Sequence, residues 1–374
     1  MDLGLNEFQQ MLRNSSREFL ESECPVSYVR DMEQDERGYS PELWGSMAEM
    51  GWLGLAFPEN VGGEGLGFVE LAILLEEMGG ALLPGPYFST VVMAGVALAE
   101  AGTEDQKNEY LARIAQGQLI ATMAITEPSG LWEPRGIEAT ARRTDGGYVI
   151  NGTKLYVPNA HVSDYVIVAA RTGDGETDVS LFIVPSNAGG LKQSLLTTIA
   201  SDRQSELTFD DVTVDEASIL GDFNGGWDTI ATVLKWGAAG KCAEMLGGAQ
   251  RVLEMTVRYA KERIQFGRAI GSFQAVQHHA ADMAADVDGC RYITYQAAWS
   301  LAQGMPADRE VSMAKAWVSE AYRRVCALAH QSHGAVGFTK EYDLQLYSRR
   351  AKAAELMFGD ADVHLEAVAS AIGL

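Results

Sequence analysis

An arginine, an amide, an aromatic ring and a glycine fall close together in Arg263-Ile264-Gln265-Phe266-Gly267, at the end of a long apolar-periodic run. A guanidinium forks onto phosphate oxygens through two parallel hydrogen bonds, and a glycine turn lets backbone N–H groups approach the same oxygens. A second stretch, Gln331-Ser332-His333-Gly334-Ala335-Val336-Gly337, sets an amide and an imidazole beside two more glycines. The pair has the chemistry to hold the phosphates of a large anionic cofactor. Acid–base candidates are sparser. Asp360, Asp362 and Glu366 share a C-terminal helical stretch, where acids usually form a solvated face, and Glu244 lies on an earlier one. His278, His279 and Asp282 hint at a metal, but adjacent histidines point to different helix faces and no third ligand has suitable spacing. No metal is therefore expected, and no elbow motif supports Ser-His-Asp catalysis.

Composition narrows the partners. A net charge of -22 repels nucleic acid and anionic membranes, so an anionic ligand has to be met by a local group of arginines. Four cysteines, Cys24, Cys242, Cys290 and Cys326, form no CxxC pair and fit reduced thiols. With neither a signal peptide nor a long uncharged apolar run, the expectation is a soluble, cytoplasmic chain.

Several elements have to position these residues. A chain of 374 residues, 47% of them apolar, calls for two or three packed units. Phe8, Met11, Leu12, Phe19 and Leu20, then Leu43, Trp44 and Met47, then Leu71, Leu74, Leu75 and Met78 repeat at helical spacing, and a fourth helix is expected near Val91 to Ala101. Residues 1–118 thus read as a helical domain. From about 119 to 223 the period becomes strand-like: Ile120, Thr122 and Ala124; Tyr148 to Val157 around an Asn151-Gly152 turn; Tyr165 to Ala170; Val179 to Val184; Glu206 to Phe209. A small β-barrel or a pair of sheets is the expectation there, the barrel first. Residues 224–374 return to the helical period in four stretches, read as an antiparallel four-helix bundle. The fold class is α+β.

This order of domains, with Glu262-Arg263-Ile264-Gln265-Phe266-Gly267, the loop from Gln331 to Gly337, Ile125-Thr126-Glu127-Pro128 and Phe209-Asp210-Asp211-Val212-Thr213-Val214, strongly resembles the acyl-CoA dehydrogenases over essentially the whole chain. The resemblance implies an FAD cofactor, an acyl-CoA substrate and an electron-transfer flavoprotein as acceptor. It carries cofactor binding onto Arg263, Gln265, Phe266, Gln331, His333, Gly334 and Gly337, which in the family serve the flavin of a neighbouring subunit, and onto Thr126 and Tyr156 in the β segments. It also implies α,β-dehydrogenation of the thioester, in which a carboxylate removes the α-proton while the β-hydrogen leaves as hydride to the flavin.

The chain departs from the family where that carboxylate belongs. The usual Tyr-Glu-Gly-Thr segment aligns with Met357-Phe358-Gly359-Asp360, so Phe358 replaces the glutamate. Other members carry the base thirteen residues ahead of the position held here by Gln250, which is Gly237. Thr126-Glu127-Pro128 runs into a bulky segment, and Tyr156-Val157-Pro158 stands where the family has a hydroxyl facing the flavin; Pro158 offers neither side-chain oxygen nor backbone N–H. Three readings follow. The leading one is a non-catalytic partner in a heteromeric acyl-CoA dehydrogenase, of the kind found in bacterial steroid side-chain degradation, completed by a homologous subunit that carries the glutamate. The second is a homo-oligomer with a relocated base, Asp360 first, with Glu244 and Asp362 behind it. The third is a scaffold that binds CoA without redox work. The small run Gly237-Ala238-Ala239-Gly240 would leave room for a bulky acyl group or allow close helix packing.

Overall fold

The computed structural model describes residues 4–374. Helix α1 (Glu7–Glu23) starts at a capping box in which Asn6 and Gln9 satisfy each other's backbone N–H groups. Next come α2 (Val26–Gln34) and α3 (Pro41–Glu49), the latter capped by Ser40 with proline at its first position. Helix α4 (Phe68–Ala81) is buried almost all round. Phe88–Gly95 is wound as a π-helix and runs directly into α5 (Val96–Ala101), ahead of the short α6 (Glu104–Gln106) and α7 (Ala112–Ala115).

The middle region is a mixed sheet, and it corrects the expected barrel. Its strands are β1 (Ala121–Ala124), β2 (Thr140–Thr144), β3 (Gly147–Pro158), β4 (Tyr165–Arg171), β5 (Val179–Pro185), β6 (Leu191–Leu196), β7 (Gln204–Val214) and β8 (Ile219–Leu220). Their order is β6-β7-β3-β2-β4-β5-β8, with β1 added in parallel to β4. A barrel needs its first and last strands to pair, and β6 and β8 do not. The reason is visible at both edges. Strand β8 spans two residues and covers only Leu181 and Phe182, while β6 presents Lys192, Gln193 and Ser194 to solvent, polar residues that suit a free edge. The two halves of the sheet meet at one residue pair, Thr140 and Arg171. Inward side chains, among them Tyr148, Ile150, Val166, Val168, Phe182, Leu207, Phe209 and Val212, form the core.

Asn151-Gly152 is not a hairpin turn either. Strand β3 runs straight through it, and the β2–β3 turn lies between Thr144 and Gly147. Asn151-Gly152 marks a bulge against β7, where Asn151 exchanges two hydrogen bonds of 2.9 Å with Asp211. Gly152 has φ 143, and a Cβ there would stand 2.6 Å from the Ala139 side chain, so close backbone approach explains the glycine.

The C-terminal region holds α8 (Gly226–Glu262), a small hairpin of β9 (Ile264–Gln265) and β10 (Arg268–Ala269), then α9 (Gln274–Ala302) and α10 (Asp308–His333). The last helical stretch of the sequence reading is two helices, α11 (Leu344–Leu356) and α12 (Ala361–Ala371), broken at the turn that contains Phe358 and Gly359. Both have positive φ, 59 and 89, which no helix accommodates.

Two compact units emerge. One takes residues up to Asp31, Gly67–Leu83 and Ala238–Leu374; the other takes Met32–Leu66 and Pro84–Gly237. Inside the first, α4 and α8 touch backbone to backbone. A Cβ on Gly79 would fall 2.0 Å from the Glu244 carbonyl oxygen and one on Gly247 1.8 Å from that of Glu76, so both positions require glycine. Among the described residues no helix is long and apolar enough to cross a membrane.

Candidate functional site

The hairpin after α8 is the clearest site feature of the first unit. It pairs Gln265 with Arg268 and Ile264 with Ala269, leaving Phe266-Gly267 as a two-residue turn with φ 52 and 77. Positive φ at both positions is the turn whose twist suits a two-residue hairpin, and a bulky aromatic there is disfavoured. Phe266 is nevertheless at the tip and 92% exposed, meeting only the edge of Phe273 at 6.0 Å between centroids. Arg268 lies over the Phe273 ring at 4.1 Å, which stiffens the base of the hairpin. Arg263 and Gln265 are exposed, and the Arg263 guanidinium makes no ion pair among the described residues. Strain and exposure with little packing gain are the marks of a residue kept for a ligand or partner.

The second stretch caps α10. Gln331 is exposed, Gly334 turns the chain with φ 66 and open space where a Cβ would be, and Gly337 is buried against His333 and His330. His333 is buried inside the unit. Its ring stacks on Tyr259 at 4.4 Å and tilts against Tyr342 at 5.2 Å, and its Nδ1 lies 2.8 Å from the Ala329 carbonyl. Since that oxygen only accepts, Nδ1 carries the proton and Nε2 is left a buried acceptor without a partner. Burial lowers the His333 pKa, which keeps the ring neutral. Its ring thus ties the loop to Tyr259, in the last turn of α8, whose carbonyl accepts from Arg263 N at 2.8 Å. The structure brings together in one unit an exposed guanidinium, two amides, an aromatic face and an open glycine turn. This donor set fits a diphosphate with an adenine attached, and FAD carries both.

The β unit carries Thr126 and Tyr156. Thr126 is half-buried and its carbonyl accepts from Leu155 N at 2.8 Å; Tyr156 is exposed, with φ 54 at a second bulge of β3. Beneath them lies an ion pair that sequence reasoning passed over. Lys154, fully buried, reaches Glu127 at 2.6 Å and the Ile125 carbonyl at 3.2 Å, while Glu127 accepts from Glu138 N and Ala139 N. The Thr122 hydroxyl is already engaged with the Pro158 carbonyl at 2.6 Å. The Thr122 hydroxyl is therefore not free to meet a ligand.

Neither position to which the resemblance assigns the base holds an acid. Gly237 is buried within α8. Phe358 is buried in the turn after α11, its carbonyl oxygen 2.9 Å from His364 Nε2. Asp360 starts α12 as its N-cap, accepting from Val363 N at 3.1 Å, and Asp362 is exposed one residue inside that helix. Glu244 is engaged by Lys241. Reading the sequence also missed Lys315, which reaches the same turn from α10. It interrupts an apolar stripe of Val311, Val318 and Tyr322 at helical spacing, a signal that could have drawn notice. No group of acidic, histidine and cysteine side chains among the described residues could hold a metal ion.

Comparison with known proteins follows the same lines. The family patterns "Acyl-CoA dehydrogenase, N-terminal domain", "middle domain" and "C-terminal domain" match residues 6–118, 122–212 and 224–373. The "Probable acyl-CoA dehydrogenase YngJ" of Bacillus subtilis is 34% identical over 97% of each chain. A chain of the ChsE4-ChsE5 complex from Mycobacterium tuberculosis superposes with TM-score 0.91 at 31% identity, over 100% of this chain and 99% of that one. The FAD complex of PigA superposes with TM-score 0.91 at 28% identity, over the full length of both. The chain belongs to the acyl-CoA dehydrogenase family and is a flavin oxidoreductase whose cofactor is FAD.

Proposed function

We propose that this chain is the subunit without a catalytic carboxylate in a heteromeric acyl-CoA dehydrogenase, and that it lends its diphosphate-binding elements to a site completed by a homologous subunit carrying the glutamate. The observation that carries this reading is the turn after α11, where a buried phenylalanine stands at the position of the base. The nearest acid, Asp360, already caps α12. The likeness to a chain of a two-component complex, ChsE4-ChsE5, supports it further.

Arg263 forks onto the diphosphate, Gln265 and Gln331 donate amide hydrogens, Phe266 offers a face to the adenine, and Gly334 and Gly337 let the backbone after α10 approach. His333 holds that loop in place. When bound, FAD supplies the hydride acceptor. The substrate is an acyl-CoA and the electron acceptor an electron-transfer flavoprotein. Exposed Phe266 is then covered by the partner subunit, which offsets the strain at the hairpin tip.

The test is the flavin absorbance and the FAD-to-chain ratio of the purified chain, alone and co-expressed with a homologous acyl-CoA dehydrogenase subunit that carries the glutamate. The expected result is a colourless chain alone and one FAD per pair of chains with the partner. One FAD per chain without any partner overturns the heteromeric reading in favour of a homo-oligomer.

A further inference from the structure

Lys315 lies on the apolar stripe of α10 with none of its surface exposed. Its Nζ donates to the carbonyl oxygens of Glu355 at 2.9 Å and Gly359 at 2.8 Å and to Ser319 Oγ at 3.2 Å. No carboxylate pairs with it among the described residues. A buried amine is unfavourable in its charged form, and burial outweighs the Glu355 and Asp360 carboxylates beyond ion-pair distance and pushes its pKa down to about 8. Packing alone does not call for such a residue, since a methionine would fill the volume. What Lys315 adds is specific: the two carbonyls it holds bracket Phe358.

The carbonyl between them is held from the other side. His364 Nε2 lies 2.9 Å from the Phe358 oxygen and its Nδ1 3.2 Å from Ser312 Oγ. The carbonyl can only accept, so Nε2 carries the proton and the serine donates to Nδ1. Ser312, Lys315 and Ser319 are spaced to share one face of α10. Three carbonyls, one in the last turn of α11 and two in the segment that joins it to α12, are thus tied directly, or through His364, to a single helix face. The turn so held keeps Phe358 at φ 59, a conformation that a bulky residue avoids when free.

We infer that Lys315 and His364 are positioning residues that set the direction of the side chain at residue 358, whatever that side chain is. The inference rests on the proposed function, in which 358 is the position of the family's base, and deepens it: the backbone at that position is held by groups other than the side chain it carries.

The test is 19F NMR of the full chain labelled with 4-fluorophenylalanine, the Phe358 resonance being assigned as the one lost in Phe358→Leu. Wild type is expected to give a single Phe358 resonance displaced from that of the unfolded chain. Lys315→Met and His364→Gln are each expected to split it or shift it towards the unfolded position, with the other phenylalanine resonances in place. Tyr322→Phe, a change on the same helix outside the clamp, is expected to lower Tm and leave the Phe358 resonance still. Should Lys315→Met not fold, Ser319→Ala together with His364→Gln provides the measurement. A Phe358 resonance unmoved in every folded clamp variant overturns the inference and leaves Lys315 a stabilising residue only. The measurement needs no partner, flavin or turnover, so it stands or fails separately from the FAD ratio above.

Discussion

Burial decides the chemistry of single residues in this chain. The thiols of Cys24, Cys242, Cys290 and Cys326 are all buried, and loss of solvation pushes each up to about 12. Only the thiolate reacts. None of the four is expected to label with a thiol reagent at pH 8 in the native protein, and all four should label once it is unfolded; mass spectrometry counts the adducts. Lys315 gives a prediction with a sign. Its folded pKa, about 8, lies below the ordinary lysine value of 10.5, so between those values the unfolded chain binds more protons than the folded one. The contribution of Lys315 to stability then rises as pH climbs from 8 towards 10.5 and is lost as pH falls through 8. The difference in Tm between wild type and Lys315→Met is expected to grow in favour of wild type between pH 7 and pH 9.5. A difference flat across that range would mean the lysine is not held as described.

At the scale of elements, two devices differ in kind. The Glu127–Lys154 pair ties the segment after β1 to β3 from within the sheet, with both side chains out of water. Removing one partner strands the other. Lys154→Met is expected to destabilise the chain by about 3 kcal/mol or more, seen as a lower denaturant midpoint, and adding Glu127→Gln should recover part of that loss. The β9–β10 hairpin is the opposite case, exposed and contributing little to the core. Gly267→Val places a β-branched residue at φ 77, where only glycine is at ease. The expected outcome is loss of FAD from the assembled enzyme with Tm of the isolated chain nearly unchanged. Equal loss of both would make the hairpin a structural element. These two were unequally legible. The hairpin follows from its local turn chemistry, whereas the ion pair joins residues 27 positions apart in sequence and left no periodic trace.

For the whole molecule, the proposed function predicts that the purified single chain does not dehydrogenate acyl-CoAs, measured with a chemical electron acceptor and a panel of straight and branched thioesters; robust turnover would sink it. The amino-acid sequence by itself determined the alternation of helical, strand-like and helical regions, because burial periods of 3.6 and 2 are properties of local chain geometry. It likewise determined the family, through motifs such as Arg263 to Gly267 that act within one turn. Only the tertiary structure decided whether the sheet closes, since that depends on whether β6 and β8 meet, a pairing between distant strands that neither announces. The same holds for Asn151-Gly152, a turn signal by local rules that long-range pairing with β7 and contact with Ala139 convert into a bulge. Lys315, His364 and Phe358 come from three different elements, and their meeting at one turn is set by packing, which no local period encodes.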